Sequence, residues 1–150
     1  MLQDIIAIVI VLYNDDVPAY VYKIKECPIY LVDNTPSRNL KIGQPGITYL
    51  ALNENKGIAT ALNIGINKAT VDGASWVITM DQDSIIPDNM IKEYRKYLGI
   101  VSNIGILAPQ LLMYEGEIKN VNNSLRNPPT SLKTSILIRL PEVKASFICT

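Results

Sequence analysis

The sequence predicts an α/β fold: an open, mostly parallel sheet with helices on both faces. Three observations carry that prediction. Ile5 to Tyr13 is an unbroken, β-branched apolar run, which is how a strand buried on both faces reads. Strand-like and helix-like stretches then alternate through most of the first 110 residues, the pattern of successive βα units. Finally, Tyr13-Asn14, Asp33-Asn34 and Asp81-Asp83 all stand at carboxyl ends of predicted strands. Open α/β sheets bind their ligands outside those ends.

Taken in order, the first strand runs from Ile5 to Tyr13 and stops at Asn14-Asp15-Asp16, where a carboxylate can cap a helix. Pro18 suits a first helical turn, and Val17, Tyr20, Val21 and Ile24 give a short helix an apolar stripe ending near Glu26. Ile29 to Val32 is a second strand. Two prolines and two glycines between Thr35 and Gly46 mark a surface loop. Ile47 to Leu52 is a third strand, and Asn53 to Gly57 turns into a helix from Ile58 to about Lys68. Its expected buried stripe is Ile58, Leu62 and Ile66, supported by Ala61 and Ala69. Gly65 in that helix costs about 1 kcal/mol relative to alanine, so it signals close packing on the sheet. Asn63 lies off the stripe, either solvated or turned toward a ligand.

A fourth strand begins at Trp76 and ends in Asp81-Gln82-Asp83-Ser84. A second full helix opens at Pro87-Asp88-Asn89, with Met90, Ile91, Tyr94, Tyr97 and Leu98 at helical spacing and Gly99 beyond its end. Ile104 to Ala108 is a fifth strand, stopped by Pro109. Weaker strand patterns follow at Leu111 to Tyr114, Ile118 to Val121, Ser135 to Leu140 and Ala145 to Cys149, around a polar loop from Asn122 to Thr130.

Composition narrows the chemistry. With 150 residues and nearly half of them apolar, the chain can form one domain with a real core. Its net charge of zero gives no electrostatic case for nucleic acid. There is no histidine, which excludes histidine-based nucleophilic sites and histidine-ligated zinc. Cys27 and Cys149 are too far apart in sequence for a redox motif or a metal-ligand pair and read as buried thiols. No run reaches the roughly 20 apolar residues of a membrane span, and no signal peptide is present. The expected location is cytoplasmic, with a place at the inner face of the plasma membrane as the alternative.

If the fourth strand continued through Asp83, Asp81 and Asp83 would share a face. Two carboxylates there repel one another unless a cation joins them; the alternative is a solvated turn, since Asp-x-Asp is a short pattern that often arises by chance. Hard oxygen ligands suit Mg²⁺ or Mn²⁺, which commonly keep positions open for phosphates. A dinucleotide Gly-x-Gly-x-x-Gly and a P-loop are both absent, so a diphosphate would be held through metal.

Val11-Leu12-Tyr13-Asn14, Val32-Asp33-Asn34, Asn55-Lys56-Gly57-Ile58-Ala59 with Ala61-Leu62-Asn63-Ile64-Gly65, and Met80-Asp81-Gln82-Asp83-Ser84 follow one another as in the family 2 glycosyltransferases. The chain resembles that family over residues 4 to 110, and Asp-Gln-Asp-Ser is most similar to its rhamnosyltransferase branch. The resemblance implies a GT-A (Rossmann-like) fold, with residues 1–150 as the nucleotide-sugar-binding portion, truncated before the acceptor-binding half. It implies a dTDP- or UDP-sugar donor, a glycan or lipid-linked acceptor in cell-surface polysaccharide synthesis, Mn²⁺ or Mg²⁺, and inversion at the anomeric carbon. By the same resemblance Asp33 hydrogen-bonds the base, Tyr13 and Asn14 line base and ribose, and Asn55, Lys56, Gly57 and Asn63 lie beside the nucleotide. Asp83 is the direct metal ligand, and Asp81 stands near the ribose or a metal-bound water.

The family's catalytic base is expected beyond Thr150. Glu115, Glu117 and Glu142 match no motif and read as solvated surface. A donor half without its partner would leave sheet or core surface exposed and favour a homo-oligomer. Two other functions fit the bare pattern. One is a nucleotidyltransferase, although Tyr13-Asn14-Asp15-Asp16 is neither Gly-rich nor basic. The other is a non-enzymatic α/β interaction domain, which predicts no metal-dependent nucleotide binding.

Overall fold

The computed structural model describes residues 4–84, 86–98, 106–107 and 136–139. Four parallel strands form the centre: β1 (Ile6–Leu12), β2 (Ile29–Asp33), β3 (Ile47–Ala51) and β4 (Trp76–Asp81). Two long helices accompany them, α1 (Ile58–Val71) and α2 (Met90–Leu98). The short strands β5 (Ile106–Leu107) and β6 (Ile136–Arg139) complete the described sheet, whose order is β3-β2-β1-β4-β6-β5. β6 lies antiparallel to β4, and β5 antiparallel to β6. The sheet is therefore mostly parallel, as the sequence predicts.

Every residue of β1 is buried, which explains its uniformly apolar composition. Neighbours flank it on both edges, and successive side chains feed two separate cores. Ile6, Ile8, Ile10 and Leu12 join Leu31, Ile78, Met80, Val21, Ile91 and Tyr94 on one face. Ala7, Val9 and Val11 join Val32, Val77 and the α1 residues Ala61, Ile66 and Ala69 on the other. Helices thus cover both faces, with α2 on the first and α1 on the second.

The segment after β1 departs from expectation. Instead of an α-helix reaching Glu26, it forms a single 3-10 turn at Ala19–Tyr22. Pro18 precedes that turn with extended ψ and no side-chain cap. Without a cap, and with only Val21 fully buried, nothing propagates a longer helix.

α1 is also rotated from its predicted stripe. Ile58 is 48% exposed, whereas Ala61, Gly65, Ile66 and Ala69 are buried. Gly65 explains the rotation. A Cβ built there would stand 2.5 Å from Val9 Cγ1 and 2.8 Å from Val32 Cγ2. The helix backbone lies directly on β1 and β2, and a small-residue face is what allows that approach. In α2, Ile91 and Tyr94 are buried but Tyr97 is exposed, so the stripe is narrower than its spacing suggested. The strand patterns at 111–114, 118–121 and 145–149, the loop at 122–130, and Gly99, Pro109 and Cys149 lie outside the described residues.

Gly65→Ala tests the close approach. Helix propensity alone predicts a gain of about 1 kcal/mol. The opposing methyls belong to β-branched valines with little rotamer freedom, so overpacking, typically about 1–3 kcal/mol, should win. Urea unfolding should show net destabilisation. A stabilised variant would mean that α1 can lift off the sheet without cost.

Candidate functional site

The strand order reverses beside β1. The chain leaves β1 for β2 and β3 on one side, then returns through α1 to β4 on the other. Such a switch point opens a crevice at the strands' carboxyl ends. Tyr13 and Asn14 leave β1 there, Asp33 ends β2, Asp81 ends β4, and Asn55, Lys56 and Gly57 lead into the first turn of α1. Eight of the nine predicted site residues thus gather on one rim when Asp83, two residues past β4, is included. Asn63 does not join them. It sits six residues into α1 from Gly57, about 9 Å along the helix. Its Oδ1 is buried with no hydrogen-bond partner among the described residues, while the residue as a whole is partly exposed.

Asp33 is fully buried, 0% exposed, and its carboxylate is heavily engaged. Oδ1 accepts from the Thr35 N–H at 3.0 Å and from Arg38 Nη2 at 3.0 Å. Oδ2 accepts from Arg38 Nε at 2.6 Å and from the Tyr49 hydroxyl at 2.6 Å. Burial pushes this carboxyl up, but the hydrogen bonds from Arg38, Tyr49 and Thr35 outweigh it and hold the group below the usual carboxylate range. Burial and the bond to Asp33 push the Tyr49 phenol up, so it remains a donor.

Cross-ties hold the neighbouring exits in place. Asn14 takes a left-handed conformation, φ 52°, which asparagine tolerates better than most residues. Its N–H donates to Thr35 Oγ1 at 2.8 Å. Arg38 Nη1 donates to the Asp15 carbonyl at 2.6 Å. Asn34 Nδ2 donates to Asn55 Oδ1 at 2.9 Å, and Asn34 Oδ1 accepts from the Lys56 N–H at 2.8 Å. Asn34 thereby latches the entry to α1, where Gly57 adopts φ 79°. Lys56 Nζ pairs with Glu54 at 2.8 Å on the surface.

The Asp-x-Asp segment differs from the strand expected through Asp83. β4 ends at Asp81, and residues 82–83 form a turn closed by the Ser84 N–H donating to the Asp81 carbonyl at 3.1 Å. Strand alternation therefore does not align Asp81 with Asp83. The ladder stops because β1 has run out: Val11 pairs with Asp81, and two residues beyond Leu12 the chain turns at Asn14. Gln82 fills the gap. Its Oε1 accepts from the Tyr13 N–H at 2.7 Å and its Nε2 faces the Tyr13 carbonyl as donor at 3.3 Å. One side-chain amide thus takes the place of a backbone strand pair and ties the β1 exit to the Asp81–Ser84 turn.

Sequence reasoning missed Gln82, Arg38, Tyr49 and Tyr20. The Tyr20 hydroxyl points at the Asp81 and Gln82 carbonyls, at 3.4 and 3.5 Å. Burial first, then the Asp83 and Asp81 charges, push its phenol up to about 12. Asp81 and Asp83 are both exposed there, while Ser84 is 6% exposed and its Oγ has no hydrogen-bond partner among the described residues.

Among the described residues, no group of three or more His, Cys, Asp or Glu could hold a metal ion. Two exposed carboxylates in one turn do fit a hard divalent ion whose remaining positions go to water and a phosphate ligand. Glu115, Glu117 and Glu142 lie outside the described residues.

The low-lying Asp33 carboxyl has a pH signature. A group with a depressed folded pKa contributes stability that is present above its unfolded value, about 3.9. That stability is lost as pH falls toward the folded value. Wild-type unfolding free energy should therefore drop steeply below about pH 4. Asp33→Asn should be less stable at pH 7 and show a shallower acid limb in denaturant titrations. Identical acid limbs would contradict the assignment.

The family model described as glycosyl transferase family 2 matches residues 31–126. The chain is 37% identical over 98 residues to a dTDP-rhamnosyl transferase, RfbF, of Shigella flexneri, a match covering 60% of this chain and 33% of that protein. The chain thus spans about a third of that relative's length. No solved structure matches. No helix among the described residues is long and apolar enough to cross a membrane. By the family match over most of its length, the chain belongs to glycosyl transferase family 2.

Proposed function

We propose that this chain is the donor-binding part of a glycosyltransferase that takes a sugar, rhamnose in our reading, from a pyrimidine nucleoside diphosphate. The observation that carries the proposal is the convergence of Tyr13, Asn14, Asp33, Asp81 and Asp83 on one rim at the switch point. The family match supports the reaction class, and the dTDP-rhamnosyl transferase relative supports the sugar and the nucleotide.

The rim divides into two ends. Tyr13, 43% exposed, offers an aromatic face, and with Asn14 and the Asp33 cluster it forms the base and ribose end. Asn55, Lys56 and Gly57 flank the nucleotide from the start of α1. Asp81 and Asp83 form the diphosphate end, where they would hold Mn²⁺ or Mg²⁺. The bound ion would supply Lewis-acid stabilisation of charge on the leaving diphosphate. Gln82 fixes the acidic turn to the β1 exit, so the two ends keep a set separation. Preorganisation of this kind lowers the cost of ordering the site on binding.

Transfer in this reading inverts the anomeric carbon. The hydroxyl of a glycan or lipid-linked acceptor attacks the face opposite the diphosphate and gives its proton to a carboxylate base. None of the described carboxylates is assigned that part.

Calorimetric titration of dTDP and UDP tests the proposal, first with Mn²⁺ and then with EDTA. Both should bind with Mn²⁺, and dTDP should bind more tightly. EDTA should weaken binding by about tenfold or more, and Asp83→Ala should reproduce that loss without metal removal. Binding indifferent to both EDTA and Asp83→Ala would remove the acidic turn from the site. No binding at all would favour an interaction domain.

A further inference from the structure

We propose that Gln82 is a positioning residue for the donor: its amide sets the distance between the two ends of the rim, so that a ligand touching both ends binds more tightly than either half of it alone. This rests on the donor-site reading above and deepens it.

The first argument is where the sheet stops supporting the rim. The β1–β4 ladder ends with Val11 beside Asp81. Past that rung both chains leave strand geometry. Asn14 takes φ 52°, and residues 82–83 form the turn closed by the Ser84 N–H on the Asp81 carbonyl. Tyr13 and Asp83 therefore stand beyond the last backbone pair. The Gln82 side chain continues the ladder by one rung. Its Oε1 accepts from the Tyr13 N–H at 2.7 Å, and its Nε2 donates to the Tyr13 carbonyl at 3.3 Å. The Tyr20 hydroxyl lies farther from the same turn, at 3.4 Å from the Asp81 carbonyl and 3.5 Å from that of Gln82.

The second argument is the residue type. This rung needs one acceptor and one donor on a side chain long enough to cross from the turn to the β1 exit. A glutamine amide carries both. An ionised glutamate only accepts, and it would add a third negative charge to a turn that already holds Asp81 and Asp83. A lysine only donates. Asparagine has the same amide on a stem one methylene shorter.

The third argument is what the tie does for binding. Tyr13, 43% exposed, belongs to the nucleoside end of the rim, and Asp81 with Asp83 to the diphosphate end. A ligand that engages two sites gains over its halves through effective concentration. That gain is greatest when the sites are held at the ligand's own span. If the acidic turn drifts from the β1 exit, each end still works, but the gain falls. Gln82 thus acts on the donor through Tyr13 and the acidic turn, without a contact of its own.

The test separates positioning from general support of the fold. Affinities for thymidine, for pyrophosphate with Mn²⁺, and for dTDP with Mn²⁺ are measured by calorimetry on wild type, Gln82→Met and Gln82→Asn. Thymidine engages the nucleoside end alone and pyrophosphate the diphosphate end alone. Methionine keeps the length of the side chain and loses the amide. Both variants should weaken dTDP by about tenfold and leave each half-ligand within about twofold of wild type. Hydrogen exchange at the Tyr13 amide should quicken in both, because its acceptor has gone or fallen short. Equal losses for dTDP and the half-ligands would make Gln82 a general support and overturn the proposal. So would unchanged dTDP binding in both variants, or Tyr13 exchange that does not respond. Wild type binding dTDP no more tightly than its halves would overturn the spanning gain while sparing the site. Wild type binding none of the three would overturn the donor site itself.

Discussion

A carboxylate buried at the end of a central strand must be neutralised where it stands, and at Asp33 that requirement shapes the rim around it. Desolvating an unpaired charge costs several kcal/mol, so the chain brings three groups to it from different places. Thr35 comes from the following turn, Arg38 from the loop beyond, and Tyr49 from β3. Each partner has a second consequence. Thr35 Oγ1 also fixes the Asn14 backbone in its left-handed turn, and Arg38 also fixes Asp15. Satisfying one charge therefore sets the exits of β1, β2 and β3 relative to one another.

The remaining exits are held by amides. Asn34 secures the approach to α1, and Gln82 secures the turn after β4. Arg38, the longest of these side chains, is pinned at three nitrogens. A site assembled in this way loses little conformational entropy when it closes on a ligand. The fold supplies the crevice by reversing strand order at β1, and these polar ties make its edge a fixed surface. The proposed transfer would need such a surface, because small errors in donor placement cost rate steeply.

Much of this was legible in the sequence, and the gaps have physical causes. Strands β1 and β2 announced themselves by unbroken apolar runs, and β3 and β4 by apolar runs broken by a single threonine, each ending in polar residues. Gly65 announced a close contact, since a glycine inside a helix costs stability and close packing on the sheet accounts for it. What the sequence left hidden was pairing at long range. Gln82 and Tyr13 are 69 residues apart, and no local pattern links them. Tyr49 looked like one more β-former, although its hydroxyl ends on Asp33. Arg38 sat in a stretch marked only as loop by its prolines and glycines. The error over Asp83 has the same origin. Alternation holds only while a strand has a partner, and where β1 ends is a fact about β1, not about the segment around Asp83. The overlong helix after β1 shows the converse: an apolar stripe without a cap or sufficient burial gave only one 3-10 turn.

The central proposal is that nucleotide and metal meet on this rim. Paramagnetic broadening of backbone amide signals by Mn²⁺, before and after adding dTDP, tests it most directly. The account predicts broadening centred on Asp81 to Ser84, with dTDP-induced shifts at Tyr13, Asn14, Asn34 and Thr35. Broadening centred on another acidic surface, such as Glu54 or Asp72, with the rim signals unmoved, would contradict it.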